Sequence, residues 1–92
     1  MNIETLVSKY INSSEKVLKK IRKKNEISIT NEKVDMIINS AKNYLKDAKY
    51  FKNQKKYETS LTSIAYCEGL LDALKLLDVV NFDWITKKTI KK

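Results

Sequence analysis

The 92-residue chain has no proline and no histidine, and it contains one glycine (Gly69), one cysteine (Cys67) and one arginine (Arg22). Without proline and with a single glycine, a turn-rich β-sandwich or barrel has no turns to build on. One cysteine excludes an internal disulfide framework and a zinc site of Cys₄ type. The lack of histidine removes Ser-His-Asp and Cys-His catalysis from this chain alone. No apolar run approaches the ~20 residues that span a bilayer; the longest near the end, Leu70 to Val80, is broken by Asp72, Lys75 and Asp78. Met1-Asn2-Ile3-Glu4 lacks the basic start and apolar run of a signal peptide. A reduced cysteine in such a chain leads us to expect a cytoplasmic protein.

What remains is a chain that is 42% hydrophobic, with 19 basic and 11 acidic residues and a net charge of +8. The charge is unevenly spread. Residues 9–56 carry 14 basic and 5 acidic side chains, whereas in 57–86 Lys75 stands alone against Glu58, Glu68, Asp72, Asp78 and Asp83. Four lysines close the chain, at Lys87, Lys88, Lys91 and Lys92. Lysine acts as a mobile point charge, whereas arginine suits bidentate phosphate and base contacts. The ten isoleucines and eight asparagines, together with lysine, point to compositional bias as one source of the charge.

Apolar periodicity predicts three helices. In the first, about 2–24, Ile3, Val7, Tyr10, Ser14, Val17 and Ile21 recur at spacings of four and three, widened by Leu6, Ile11 and Leu18. Asn2 is placed as its cap, Glu4 lies in the first turn, and Lys19, Lys20, Arg22, Lys23 and Lys24 fall in the last turns, where cations are favoured. The second, about 30–53, starts at a Thr30 cap and follows the heptad Val34, Ile37, Ala41, Tyr44, Ala48 and Phe51, thickened by Ile38 and Leu45. Lys42, Lys46, Lys49 and Lys52 lie outside that stripe, and Tyr50 also falls off it. Asn53-Gln54-Lys55-Lys56 is a polar turn short enough to require an antiparallel hairpin.

The third helix, about 57–78, begins apolar along Tyr57, Leu61, Ile64 and Ala65, opposite Thr59, Thr62 and Ser63. Its second half is apolar nearly all round, which predicts the most buried helix of the three. The fold class is therefore all-α, an up-and-down three-helix bundle over residues 1–85. Val79, Val80, Phe82 and Trp84 are expected to fold back over one end as a short C-terminal tail, with 86–92 a basic flexible tail.

Few residues suggest chemistry. Glu68 and Asp72 stack at i and i+4 on one helix face, where like charges need a cation, a proton or donors. They read either as a metal or nucleotide anchor completed by Asp47, or as charges satisfied by Lys75 and lysines of the neighbouring helix. Two carboxylates fall short of the four that helical di-metal sites recruit, so no metal and no cofactor is assigned. Gly69, between them, is expected to admit the close approach of another helix or a bulky ring. Cys67, with no histidine or nearby arginine to lower its pKa, is expected to be packed rather than reactive. The run Lys16, Lys19, Lys20, Arg22, Lys23 and Lys24 is the candidate for contacts with nucleic-acid phosphates.

The stretch Tyr44-Leu45-Lys46-Asp47-Ala48-Lys49-Tyr50-Phe51, then Tyr57-Glu58-Thr59-Ser60-Leu61 and Ile64-Ala65-Tyr66-Cys67-Glu68-Gly69-Leu70-Leu71-Asp72-Ala73-Leu74, resembles a small archaeal helical family, domain of unknown function 357. Members show a D-A-x-x-F segment, a turn containing lysine or glycine, and a Y-A-E-G-L-L-D-A-L core. Cys67 replaces the usual alanine, and Lys55-Lys56 stands where Gly-Asp is common. The resemblance covers about 30–80. It implies a three-helix up-and-down bundle, archaeal origin and no established activity. It places a shared site, if the family has one, at Asp47, Tyr66, Glu68, Gly69 and Asp72, with Phe51 opposite.

Three functions follow as expectations. The first is a non-enzymatic protein–protein interaction module, self-association through helix three included. The second is nucleic-acid binding through the lysine-rich faces of helices one and two. The third is metal or nucleotide binding at Glu68 and Asp72. No membrane association is expected.

Overall fold

A computed structural model describes residues 2–84. Three helices follow in order, α1 (Ile3–Lys20), α2 (Asn31–Asn53) and α3 (Tyr57–Leu76), with no strand among the described residues. The all-α three-helix architecture is the one that the periodicity predicts. The basic tail expected at 86–92 lies outside the described residues.

Capping side chains set two of the helix starts. The Asn2 Oδ1 accepts from the Thr5 amide at 2.8 Å, and the Thr30 Oγ1 accepts from the Lys33 amide at 3.1 Å. Each satisfies an amide that the first turn would leave unpaired. α1 stops at Lys20, short of the expected 24, because Ile21 is extended (φ −65°, ψ 136°). Continuing the helix would have stacked Lys19 on Lys23 and Lys20 on Lys24, like charges at i and i+4. Arg22, Lys23 and Lys24 therefore lie in the exposed link to α2 rather than in a last helical turn.

The ends of α2 and α3 share a geometry that the sequence gives little hint of. Lys55 and Asp78 both adopt φ 61°. Around Lys55, its own amide bonds the Lys52 carbonyl at 3.0 Å and the Lys56 amide bonds the Phe51 carbonyl at 2.9 Å. Around Asp78, the amide bonds Lys75 at 3.0 Å and the Val79 amide bonds Leu74 at 3.3 Å. Both are Schellman closures, in which a left-handed residue lets the chain reverse while satisfying the last carbonyls. The first turns α2 into α3, and the second sends 79–84 back along α3.

α2 and α3 pack as an antiparallel hairpin, and all the helix–helix packing among the described residues is between these two. Every member of the predicted α2 heptad, Val34, Ile37, Ala41, Tyr44, Ala48 and Phe51, is buried or half-buried. The opposing line on α3 is Ser60, Ser63, Ile64, Cys67, Leu70, Leu71 and Leu74. This corrects the expected inner face, since Tyr57, Leu61 and Ala65 are exposed while Ser60 and Ser63 turn inward. Small residues explain the rotation. Ala41 and Ala48 let the α3 backbone approach, and the Ser60 hydroxyl donates to the Ala48 carbonyl at 2.7 Å. A tyrosine or leucine in Ser60's place would hold the helices apart.

α3 is not enclosed on all sides as expected. α2 covers one side and residues 79–84 another, leaving Leu61, Tyr66, Leu76 and Leu77 exposed. α1 buries none of its residues, and its apolar stripe stands open from Ile3 to Ile21. The radius of gyration is 16.0 Å, against roughly 12 Å for a compact domain of this length.

Candidate functional site

The residues singled out around Glu68 do not converge on one point. Tyr66 leaves the core to stack on Tyr44, with ring centroids 4.4 Å apart and planes 17° from parallel. Glu68 is exposed and Asp72 is half-buried. The Asp72 Oδ1 accepts from the Trp84 indole N–H at 2.7 Å, so donors from the returning tail answer this carboxylate. Lys75 Nζ lies 3.9 Å from Asp83 and 5.0 Å from the centre of the Phe82 ring. Phe82 and Trp84 meet edge to face at 5.0 Å, and through the contacts with Asp72 and Lys75 the tail folds back on the C-terminal part of α3, as expected. Asp47 is exposed on α2. Among the described residues, no three His, Cys, Asp or Glu side chains are grouped as a metal would require.

Gly69 overturns its expectation. It is exposed, and nothing lies within 4 Å of where a Cβ would sit, so no close approach explains it. Cys67 is buried against α2, as expected of a packed cysteine. Burial pushes its thiol above the usual range, and the neighbouring Glu68 carboxylate adds to the rise. A thiol kept protonated in this way is a poor nucleophile.

The basic residues are divided between two elements. Lys16, Lys19 and Lys20 sit on the last turns of α1, and Arg22, Lys23 and Lys24 follow in the link, all exposed. Lys42, Lys46 and Lys49 are exposed on α2. Tyr50 is exposed, as its position off the α2 stripe predicts, and touches Phe51 edge to face at 5.3 Å.

The largest unsatisfied features are apolar. α1 presents Ile3, Val7, Tyr10, Ile11, Val17 and Leu18 to solvent. On the hairpin, a groove between α2 and α3 is lined by Ile38, Ala41, Leu45, Cys67 and Leu71, with Lys42 on its rim. Sequence periodicity found the α1 stripe but not the groove, whose lining is shared between two helices. The Trp84–Asp72 bond was also missed, because nothing local in the sequence links residues twelve apart.

No described helix is long and apolar enough to cross a membrane. No curated protein and no solved structure matches the chain. The family model described as "Protein of unknown function (DUF357)" matches residues 9–80, which takes in most of α1, the whole hairpin and the start of the returning tail. The chain belongs to the DUF357 family.

Proposed function

We propose that the protein is a non-enzymatic interaction module that binds a protein partner through the apolar stripe of α1 and the groove of the α2–α3 hairpin. One observation carries this reading: a well-capped amphipathic helix leaves all of its apolar stripe but the half-buried Leu6 in water. A contiguous exposed apolar face on a small protein marks an interaction surface. The dispersal of Tyr66, Glu68, Gly69 and Asp72 into stacking, solvent, open space and a tail anchor supports binding rather than catalysis. The test is affinity capture from the source cell with the full chain and with a Val7→Asp/Val17→Asp variant. A partner, a second copy included, held by the first and lost by the second is expected. Identical retention by both would overturn the reading.

A second reading has its own observation. Lys16, Lys19, Lys20, Arg22, Lys23 and Lys24 are exposed along one helix end and its link, and the ion pair seen among the described residues, Lys75–Asp83, lies elsewhere. Such a strip suits nucleic-acid phosphates. Affinity for RNA or DNA would then fall steeply with salt, and neutralising Lys19, Lys20, Lys23 and Lys24 would flatten the slope. No binding at low salt would end that reading.

A further inference from the structure

We infer that the outer face of α2 and the turn into α3 bind single-stranded nucleic acid, with Lys42, Lys46 and Lys49 on phosphates and Tyr50 and Tyr57 under unpaired bases. The inference rests on the nucleic-acid reading given second above, moves it from the end of α1 to the hairpin, and names the form of the strand.

Three observations carry it. First, the face is a continuous basic strip. At 3.6 residues per turn, the side of α2 opposite the Val34–Phe51 heptad carries Lys42, Lys46 and Lys49, all exposed, and it runs on to Lys55 and Lys56 in the turn. Residues 39–57 hold six lysines and one acid, Asp47, which lies about 100° round the helix from Lys46. The other acids nearby stand beyond the two ends of the strip. Glu32 and Asp35 precede Lys42 by about two turns or more, and Glu58 follows Tyr57 in the first turn of α3. None of the six lysines has an ion-pair partner among the described residues, where the pair is Lys75–Asp83.

Second, the helix itself does not account for these charges. Lys46 sits between Lys42 four residues before it and Lys49 three residues after, so like charges stack and repel. The helix dipole favours cations in the last turn only. That explains Lys52, but not Lys42 or Lys46, which lie about two turns or more from the Asn53 end. A polyanion laid along the face turns this repulsion into attraction.

Third, open rings stand among the lysines. Tyr50 lies one turn beyond Lys46 on the same face and is 58% exposed, and Tyr57, just past Lys55 and Lys56, is 62% exposed. Phe51 meets Tyr50 edge to face, and no ring is stacked on either tyrosine among the described residues. Lysines with open aromatic rings are what a single strand uses, its phosphates on the charges and its bases on the rings. The bases of a duplex are already stacked on one another and would leave both rings idle. An acidic peptide would use the lysines alone. An anionic bilayer calls for aliphatic side chains on the bound face, where α2 has Asn39, Asn43 and Asn53. Lysine contacts phosphate without the bidentate base readout of arginine, so binding should tolerate sequence.

The experiment is fluorescence anisotropy of the full chain with labelled oligo(U) and oligo(dT) of about 12 nucleotides, a duplex of the same length, and poly-glutamate as competitor. Binding to the single strands is expected at low salt, tighter than to the duplex and falling as salt rises. Lys42→Gln/Lys46→Gln/Lys49→Gln should lower the slope of log affinity against log salt by about 2, three single-strand phosphates at roughly 0.7 each. Tyr50→Ala and Tyr57→Ala should each weaken binding about tenfold and leave the slope unchanged, and Tyr50→Phe should keep the affinity. All the substituted side chains are exposed, and circular dichroism checks that the helices persist. An unchanged slope in the α2 variant, beside a lowered slope in Lys19→Gln/Lys20→Gln/Lys23→Gln/Lys24→Gln, would overturn the hairpin assignment and leave the nucleic-acid reading standing at α1. Equal affinity for duplex and single strand, or no loss in Tyr50→Ala and Tyr57→Ala, would overturn the single-strand assignment. Displacement by poly-glutamate at equal charge would give the strip to acidic protein chains and overturn the inference as well. No binding of any oligonucleotide at low salt would remove both the inference and the reading beneath it.

Discussion

α1 and α2 are similar helices by every local measure, and yet the fold treats them differently. Both begin at a side-chain cap, both carry an acid in the first turn and lysine in the last, and both bear an apolar stripe of the same period. α2 buries or half-buries its whole Val34–Phe51 heptad, whereas α1 buries no residue and half-buries only Leu6. The difference lies in what each helix places at the centre of the stripe. α2 has Ala41 and Ala48 seven residues apart, facing Ser60 and Cys67, so two backbones can close on each other and exchange the Ser60–Ala48 hydrogen bond. α1 has Tyr10, Val17 and Leu18 in the corresponding places, and its neighbour in sequence is a ten-residue basic link rather than a three-residue turn. Amphipathicity thus states that a face needs covering; residue size and connection length decide by what.

That contrast can be broken most strongly at Leu74, which is 1% exposed. Leu74→Ala should cost about 2–5 kcal/mol of stability. Val17→Ala, measured by urea unfolding at the same dilute concentration, should cost less than about 0.5 kcal/mol. Equal losses would mean that α1 is packed as tightly as the hairpin.

The tail gives the next largest effect. Asp72→Ala removes the acceptor for the Trp84 indole and should cost about 1–2 kcal/mol. Trp84 is the one tryptophan of the chain, so its emission should shift to the red as residues 79–84 lift from α3. An unshifted spectrum would show that the tail is held by Val79 and Val80 without this bond.

Two backbone changes sharpen the hairpin side of the comparison by strengthening it. Lys55→Gly relieves a left-handed lysine at the α2 end and should add about 1 kcal/mol. Gly69→Ala meets open space in mid-helix and should add a similar amount, about 1 kcal/mol, by helix propensity alone. A loss at position 69 would reveal a close neighbour that the described chain does not show.

The smallest effect concerns Cys67. Its thiol holds its proton more firmly in the folded state than in the unfolded chain, because burial and Glu68 disfavour the thiolate. That contribution is fully present below the ordinary thiol pKa of about 8.5 and is lost as pH rises through the folded value. Tm should therefore fall faster above about pH 8.5 in the wild-type chain than in Cys67→Ser. Parallel curves would contradict the burial argument.

The sequence was a good guide where local rules operate. Asn2 and Thr30 cap as their side chains suggest, and the Val34–Phe51 heptad faces inward along its whole length. The return of Phe82 and Trp84 also follows from two aromatics placed just beyond a helix end. It was a poor guide where a property belongs to two elements at once. Ser63 reads as part of a polar face with Thr59 and Thr62, yet it turns inward together with Ser60, because the alanines opposite leave room only for small side chains. Glu68 and Asp72 read as one site, yet their surroundings differ: Glu68 is exposed, and Asp72 is half-buried and accepts from the Trp84 indole. Gly69 reads as a contact and meets nothing. The reach of Lys75 to Asp83 depends on the left-handed Asp78, which turns the chain back.

The asymmetry between α1 and the hairpin is tested most directly by residue-resolved amide hydrogen exchange on the full chain over a dilution series. The open α1 stripe predicts that α1 amides are poorly protected in dilute solution and gain protection where a partner, a second copy included, covers them. The α2 and α3 amides should remain the better protected at the dilute end. Protection of α1 that is already complete in dilute monomer, and unchanged by concentration, would contradict the account.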